Sequence, residues 1–230
     1  MKIKPEISIV CARYDDYYPA EYVNRLYRAV ARNLTVPYEF ICIAGDKRGI
    51  DPAIHCVPIL HGLKYWWCGM PMLQKNPPYV NTPNILGIGL DCVIVGSLDN
   101  LARFPSDFAV NKDYPPFACP PGREEDGNGE VCLNRNGAGS FIWDEYVRLG
   151  MPNWDPQSPP PNRAMAMCGM DLYNGPQAQF EKDLFPAEWV VSYKLWVRER
   201  GLPADCRIVS FHGRPKQHEV TELWIKEHWY

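Results

Sequence analysis

The stretch Ile85-Leu86-Gly87-Ile88-Gly89-Leu90-Asp91-Cys92-Val93-Ile94-Val95-Gly96-Ser97-Leu98-Asp99 decides how the chain is read. It is apolar without alternation, so it reads as a buried parallel strand covered on both faces, released into a helix start at Ser97-Leu98-Asp99. One carboxylate interrupts it. An ionised Asp91 is costly there unless the strand ends at that point, in a crevice where a cation or hydrogen-bond donors meet it. In open α/β sheets, ligands occupy the crevice outside the carboxyl ends of strands. A second reading keeps Asp91 at the edge of a core strand, turned to solvent or capping a turn. A dinucleotide fingerprint fails, because Gly87-Ile-Gly89-Leu-Asp-Cys92 lacks the third glycine and no helix follows at once.

Working outward, residues 7–12 read as a first strand and 13–18 as the loop at its end. Pro19 opens a helix in which Val23, Leu26, Tyr27, Val30 and Leu34 share one face. Residues 38–43 form a second strand, and this β-α-β unit predicts a parallel pair. Its loops at 13–18 and 44–49 then lie on the same rim as Asp91. Further strands are expected at 54–59, 108–110, 140–144, 188–193 and 207–211, with a short helix at 97–104 and a closing helix at 219–228. Gly69 and Pro71 break the pattern of 65–73, whose Trp66 and Trp67 read as core. Residues 114–139 read as a long irregular excursion. Within it, 126–130 has some calcium-loop flavour, but Val131 stands where glycine is required, so a solvated turn is expected.

Composition bounds the rest. A length of 230 residues suits one α/β domain over 1–230. A formal net charge of -3, without a Lys/Arg cluster, leaves no footprint for nucleic acid or a membrane surface. No apolar run reaches membrane-span length, and the first residues do not read as a signal peptide. Nine cysteines without a Cys-x-x-Cys pair argue against a zinc site and for a reducing cytoplasm.

Two pieces narrow the choice of family: Leu90-Asp91 followed by Val93-Ile94-Val95-Gly96-Ser97-Leu98-Asp99, and a late strand entering Phe211-His212-Gly213-Arg214-Pro215-Lys216. Together with the opening unit, Trp66-Trp67 and Trp189-Val190-Val191-Ser192-Tyr193-Lys194, they resemble the GT-A-fold glycosyltransferases of the glycogenin and lipopolysaccharide galactosyltransferase type. The likeness is greatest to their short bacterial and phage relatives. It implies an α/β nucleotide-diphospho-sugar transferase fold, a single mixed and mostly parallel sheet flanked by helices. It also implies a sugar-nucleotide donor, in the first instance a UDP-sugar, transferred with retention to a glycan or small-molecule acceptor.

Carried over residue by residue, the resemblance gives Asp91 and His212 to a divalent cation, manganese or magnesium. Ala12, Tyr14, Asp91, Gly213 and Lys216 go to the donor, and Asp171 to sugar orientation as the catalytic candidate. Cation and lysine would neutralise the departing nucleoside diphosphate. The chain also departs from the pattern. Gly89 replaces the first Asp of Asp-x-Asp, and Ala44-Gly45-Asp46 stands for Thr-Asp-Asp. Cys68-Gly69 stands for Asn-Lys, Gly137-Ala138-Gly139 for Asn-Ser-Gly, and Gly169-Met170-Asp171 for Asp-Gln-Asp. A second expectation follows from these losses: a catalytically silent relative serving as a nucleotide-binding, glycan-binding or partner module. A third is an α/β interaction domain in which Asp91 and His212 never meet.

Overall fold

The computed structural model describes residues 4–14, 17–113, 127–148, 150–151 and 182–230. Strand β1 (Ile7–Arg13) and strand β2 (Tyr38–Ala44) run parallel in register from Ile7 opposite Tyr38 to Arg13 opposite Ala44. The helix between them, α1 (Ala20–Asn33), starts behind Pro19 and buries Tyr22, Val23, Leu26, Ala29 and Val30. That spacing is the apolar stripe of a helix lying on a sheet. Its polar face carries Arg25 and Arg28, which share Glu21, and Arg32, which donates to the carbonyl of His228.

Strand β3 (His55–Val57) extends the sheet beyond β2, and β4 (Asn84–Ile88) lies parallel to β1 on the other side. Between them a 3-10 helix, Tyr65–Leu73, packs Trp67 face to face on Tyr146, with ring centroids 5.3 Å apart. Trp67 is 2% exposed, whereas Trp66 is 37% exposed, so only one of the pair is core.

After Ile88 the chain turns. The Gly89 amide donates to the Glu130 carbonyl at 2.9 Å, and the Cys92 amide to the Gly89 carbonyl at 3.3 Å. The chain then enters β5 (Cys92–Ile94), which belongs to another sheet. The apolar run that reads as one strand is therefore two, and Asp91 sits in the break. A short helix, α2 (Asp99–Ala102), leads to β6 (Phe108–Lys112).

The remaining strands are β7 (Gly127–Arg135), β8 (Asp183–Leu184), β9 (Val190–Ser192) and β10 (Ile208–Ser210). The large sheet has the order β3-β2-β1-β4-β7-β6-β8, with β7 antiparallel to both neighbours and the other pairs parallel. This is the expected mixed, mostly parallel sheet. The second sheet, β5-β10-β9, joins its carboxyl-end rim.

Two further expectations are overturned. Residues 127–135 are a nine-residue strand rather than loop, because β7 pairs β4 on one side and β6 on the other. Residues 140–144 are not a strand but the start of helix α3 (Ser140–Arg148), which buries Ile142 and Tyr146 one turn apart. Gly137 makes the corner between them. It has φ +71, and a Cβ there would stand 2.5 Å from the Lys75 Cα. Only glycine fits such a corner, so Gly137 is a requirement of the turn and not a pocket contact that has been erased. Cys68 is fully buried and Gly69 buried beside it, so these two also lie in the core.

The closing segment passes from β10 through Lys216 and a 3-10 turn, Gln217–Glu219, to helix α4 (Leu223–His228). Gln217, fully buried, donates to the Leu90 carbonyl at 3.1 Å, and His218 Nδ1 pairs with the Tyr22 hydroxyl at 2.5 Å. These contacts fasten the late segment to the β4–β5 break and to α1. Among the described residues no helix is long and apolar enough to cross a membrane.

Candidate functional site

Asp91 stands where the two sheets meet. Its carbonyl accepts the Phe211 amide at 2.8 Å, which places His212 next to the residue paired with Asp91. Its Oδ2 accepts from Lys216 Nζ at 2.8 Å and from the Tyr18 hydroxyl at 3.1 Å. Lys216 Nζ also donates to the Tyr18 hydroxyl at 3.0 Å and to the Phe211 carbonyl at 3.3 Å. The ion pair is withdrawn from water, the lysine side chain being 9% and the aspartate side chain 18% exposed. Pairing in so dry a place is geometry-dependent and intolerant of losing one partner.

A second acid completes the cluster. Glu130, from β7, takes the Ser210 hydroxyl on Oε2, while its buried Oε1 meets no protein donor. Burial first, and then the Asp91 charge, push the Glu130 carboxyl well above the carboxylate range. Burial also works to raise Asp91, but a hydrogen bond from Glu130 and the Lys216 ammonium outweigh it and hold Asp91 low. Two carboxyls side by side in a dry site shift in opposite directions, Glu130 up and Asp91 down. Tyr18 is held as a neutral phenol, by burial and then by Asp91.

Glu130 has no counterpart in the sequence expectations. A Cβ at Gly89 would meet Glu130 Cγ at 3.0 Å and Asp91 Oδ1 at 3.1 Å. The space beside Asp91 that a side chain at 89 would use is thus lined by Glu130, reaching in from the neighbouring strand.

His212 pairs through Nε2 with the Ser192 hydroxyl at 2.7 Å, and the same hydroxyl accepts the Leu195 amide at 3.2 Å. Burial and then the Lys194 charge lower the imidazole pKa, against the opposing pull of Asp91 and Asp113. Asp113 itself accepts from Asn128 at 3.0 Å. Gly213 follows His212 with φ +69, a left-handed conformation suited to glycine.

On the β1 side, Arg13 is buried and donates to the Tyr18 carbonyl at 2.8 Å and the Asp46 carbonyl at 2.5 Å, which joins the two rim loops. Tyr14 is half-buried. Its ring stacks on the 57% exposed ring of Tyr17, with centroids 5.4 Å apart, and meets Tyr65 edge-on. Ala12 lies partly buried behind them, against the 3-10 helix.

The structure therefore brings Asp91, His212, Gly213 and Lys216 to one rim, with Ala12 and Tyr14 at the end of β1. Asp171 lies outside the described residues, as do Gly169 and Met170. The Phe211 amide bonded to the Asp91 carbonyl sets His212 one residue from that contact, and the Asp91 charge is among those that act on its imidazole. The sequence alone missed Tyr18, Glu130, Ser192 and Lys194.

Manganese or magnesium, which the resemblance implies, is poorly matched by this donor set. Residue 89 offers no ligand atom, Asp91 Oδ2 is bonded to an ammonium, and His212 Nε2 is bonded to Ser192. Among the described residues no three His, Cys, Asp or Glu side chains gather as ligands.

No protein-family model matches the chain, and no curated protein does. Solved structures do match in fold. An active-site mutant of LgtC superposes with a TM-score of 0.58 at 12% identity, over 96% of this chain and 93% of that one. The galactosyltransferase LgtC in complex with donor and acceptor sugar analogs gives 0.55 at 12% identity, over 91% and 88%. The glycosyltransferase GlyE of Streptococcus pneumoniae TIGR4 gives 0.58 at 10% identity, over 95% of this chain and 57% of that one. The fold is that of the GT-A glycosyltransferases.

Proposed function

We propose that the protein is a glycosyltransferase that takes a nucleotide-diphosphate sugar, a UDP-sugar in the first instance, at the rim formed by the carboxyl ends of β1 and β4. The observation that carries this reading is the convergence of Tyr18, Asp91, His212 and Lys216 at the seam of two sheets, in a fold shared with glycosyltransferases. Ligands of α/β sheets sit at such rims. The Tyr14–Tyr17 stack offers a flat aromatic face to a base, and Lys216 offers positive charge to a diphosphate.

Chemically, departure of a nucleoside diphosphate from the anomeric carbon leaves negative charge on the phosphate oxygens. Donors fixed in a dry site stabilise that charge with little reorganisation. Lys216 is oriented for this by Tyr18, Asp91 and the Phe211 carbonyl, so its position is set before a donor arrives. Retention of configuration and a role for Asp171 in orienting the sugar belong to the same proposal. A reducing, cytoplasmic setting is supported by the seven described cysteines, all of them free thiols.

The alternative, a silent binding module, is favoured by one observation: Asp91 is already neutralised by Lys216. The glycine at 137 no longer supports it, since the turn requires that residue. A panel of UDP-hexoses, assayed for UDP release with and without simple glycoside acceptors, separates the two. Release above the spontaneous rate is the expected result. UDP binding without release from any donor would select the silent reading, and no binding of either would overturn both.

A further inference from the structure

Lys194 is the second residue of the π-helical turn Tyr193–Val197 that follows β9. Its Nζ stands 3.0 Å from where a Cβ on Gly213 would be, so the ammonium lies directly over the backbone of the His212–Lys216 loop. The glycine's missing side chain is what lets it approach. Lys194 is half-buried, yet it has no ion-pair or hydrogen-bond partner among the described residues. Its neighbours on the rim are committed: Lys216 to Asp91, Arg13 to two carbonyls, Arg214 to Glu219. A partly desolvated ammonium without a counter-charge favours an incoming anion.

The cation that would ordinarily meet such an anion has little to hold it here, for the reasons of geometry given above. Asp91, the carboxylate best placed to bind it, instead holds Lys216 at 2.8 Å. Resting on the donor-site reading, we propose that Lys194 and Lys216 together bind the nucleotide's diphosphate as fixed side-chain charges, with no divalent cation required. Lys216 lies on the Asp91 side of the loop and Lys194 over Gly213, so the loop 212–216 carries an ammonium at each end. Lys194 supplies the charge that is not already balanced among the described residues.

The test is calorimetric titration of UDP, GDP and ADP into the full chain after dialysis against EDTA, repeated with manganese and with magnesium. At least one nucleotide is expected to bind in EDTA, with added metal changing Kd by less than about threefold. Lys194→Ala is expected to weaken that metal-free binding by about tenfold or more, with Tm unchanged, while Lys194→Arg retains part of it. Metal-free affinity should also fall as NaCl is raised, as expected of binding by ammonium groups. Binding seen only with metal, or full affinity in Lys194→Ala, would overturn this inference and leave the donor reading standing. No binding of any nucleotide under any condition would overturn the donor reading itself.

Discussion

The two ends of strand β4 treat charge in opposite ways. At the amino end, Asn84 borders an open cleft of about 640 Å3 whose lining includes Lys4, Glu6, Arg103 and Arg135. Its polar groups lean on backbone: Arg135 donates to the Ala102 carbonyl at 2.7 Å, and Asn84 to the Glu6 carbonyl at 3.0 Å. At the carboxyl end the charges have drawn together, Asp91 and Lys216 2.8 Å apart with Tyr18 against both. Charge in reach of water is cheaply replaced, whereas charge taken out of water depends on each neighbour. The open cleft is therefore not the better candidate for chemistry.

Breaking the closed end should cost most. Lys216→Met leaves Asp91 with its charge uncompensated, and urea denaturation should show a loss of about 3 kcal/mol. Adding Asp91→Asn in the same chain should return most of it. Equal losses in the single and double variants would mean that the pair is not what holds this end.

Gly89→Asp comes next. It presses a side chain onto Glu130 Cγ and Asp91 Oδ1 and sets a third carboxyl among two. Thermal unfolding should show a cost of about 1–3 kcal/mol, and an unchanged Tm would show that Glu130 yields the space freely.

At the open end, Arg135→Ala removes one hydrogen bond and should cost under about 1 kcal/mol. A loss as large as that of Lys216→Met would erase the contrast between the ends. The smallest effect lies near the same cleft, at Asp99, which accepts the Thr35 amide at 2.8 Å and hydroxyl at 2.6 Å. Burial works to raise its pKa, but the Thr35 hydrogen bonds prevail and hold it low. Because the folded pKa is the lower one, the stability Asp99 adds is full above the unfolded value of about 3.9 and lost as pH falls through the folded value. The Tm difference between the native protein and Asp99→Asn should therefore narrow as pH drops from about 5 to about 3.

How much of this was legible in sequence depended on where each partner lies. The unit β1-α1-β2 and strand β4 could be read because their apolar patterns are long and consistent with one structure. Strand β7 could not: its start, Gly127-Asn128-Gly129, looks like a turn, and only pairing with β4 and β6 makes it a strand. In α3, Phe141, Ile142 and Trp143 favour a strand locally, while the helical signal, Ile142 with Tyr146, needs a longer window. Asp91, His212, Gly213 and Lys216 were accessible through resemblance to a family. Glu130 was not, since its position against Asp91 exists only once β7 lies beside β4. Lys194 lies within the resembling segment, but its lack of a counter-charge among the described residues is a property of the folded rim.

Tyr18, Asp91 and Lys216 come together across separations of 73, 125 and 198 residues. Contacts between such remote positions carry a loop-closure penalty before they return any energy, so they are expected to form late on the folding route. Weakening them should hasten escape from the native state while leaving the refolding limb of a chevron nearly untouched. For this protein the rim's electrostatic lock would then act as a brake on unfolding rather than as a seed for folding.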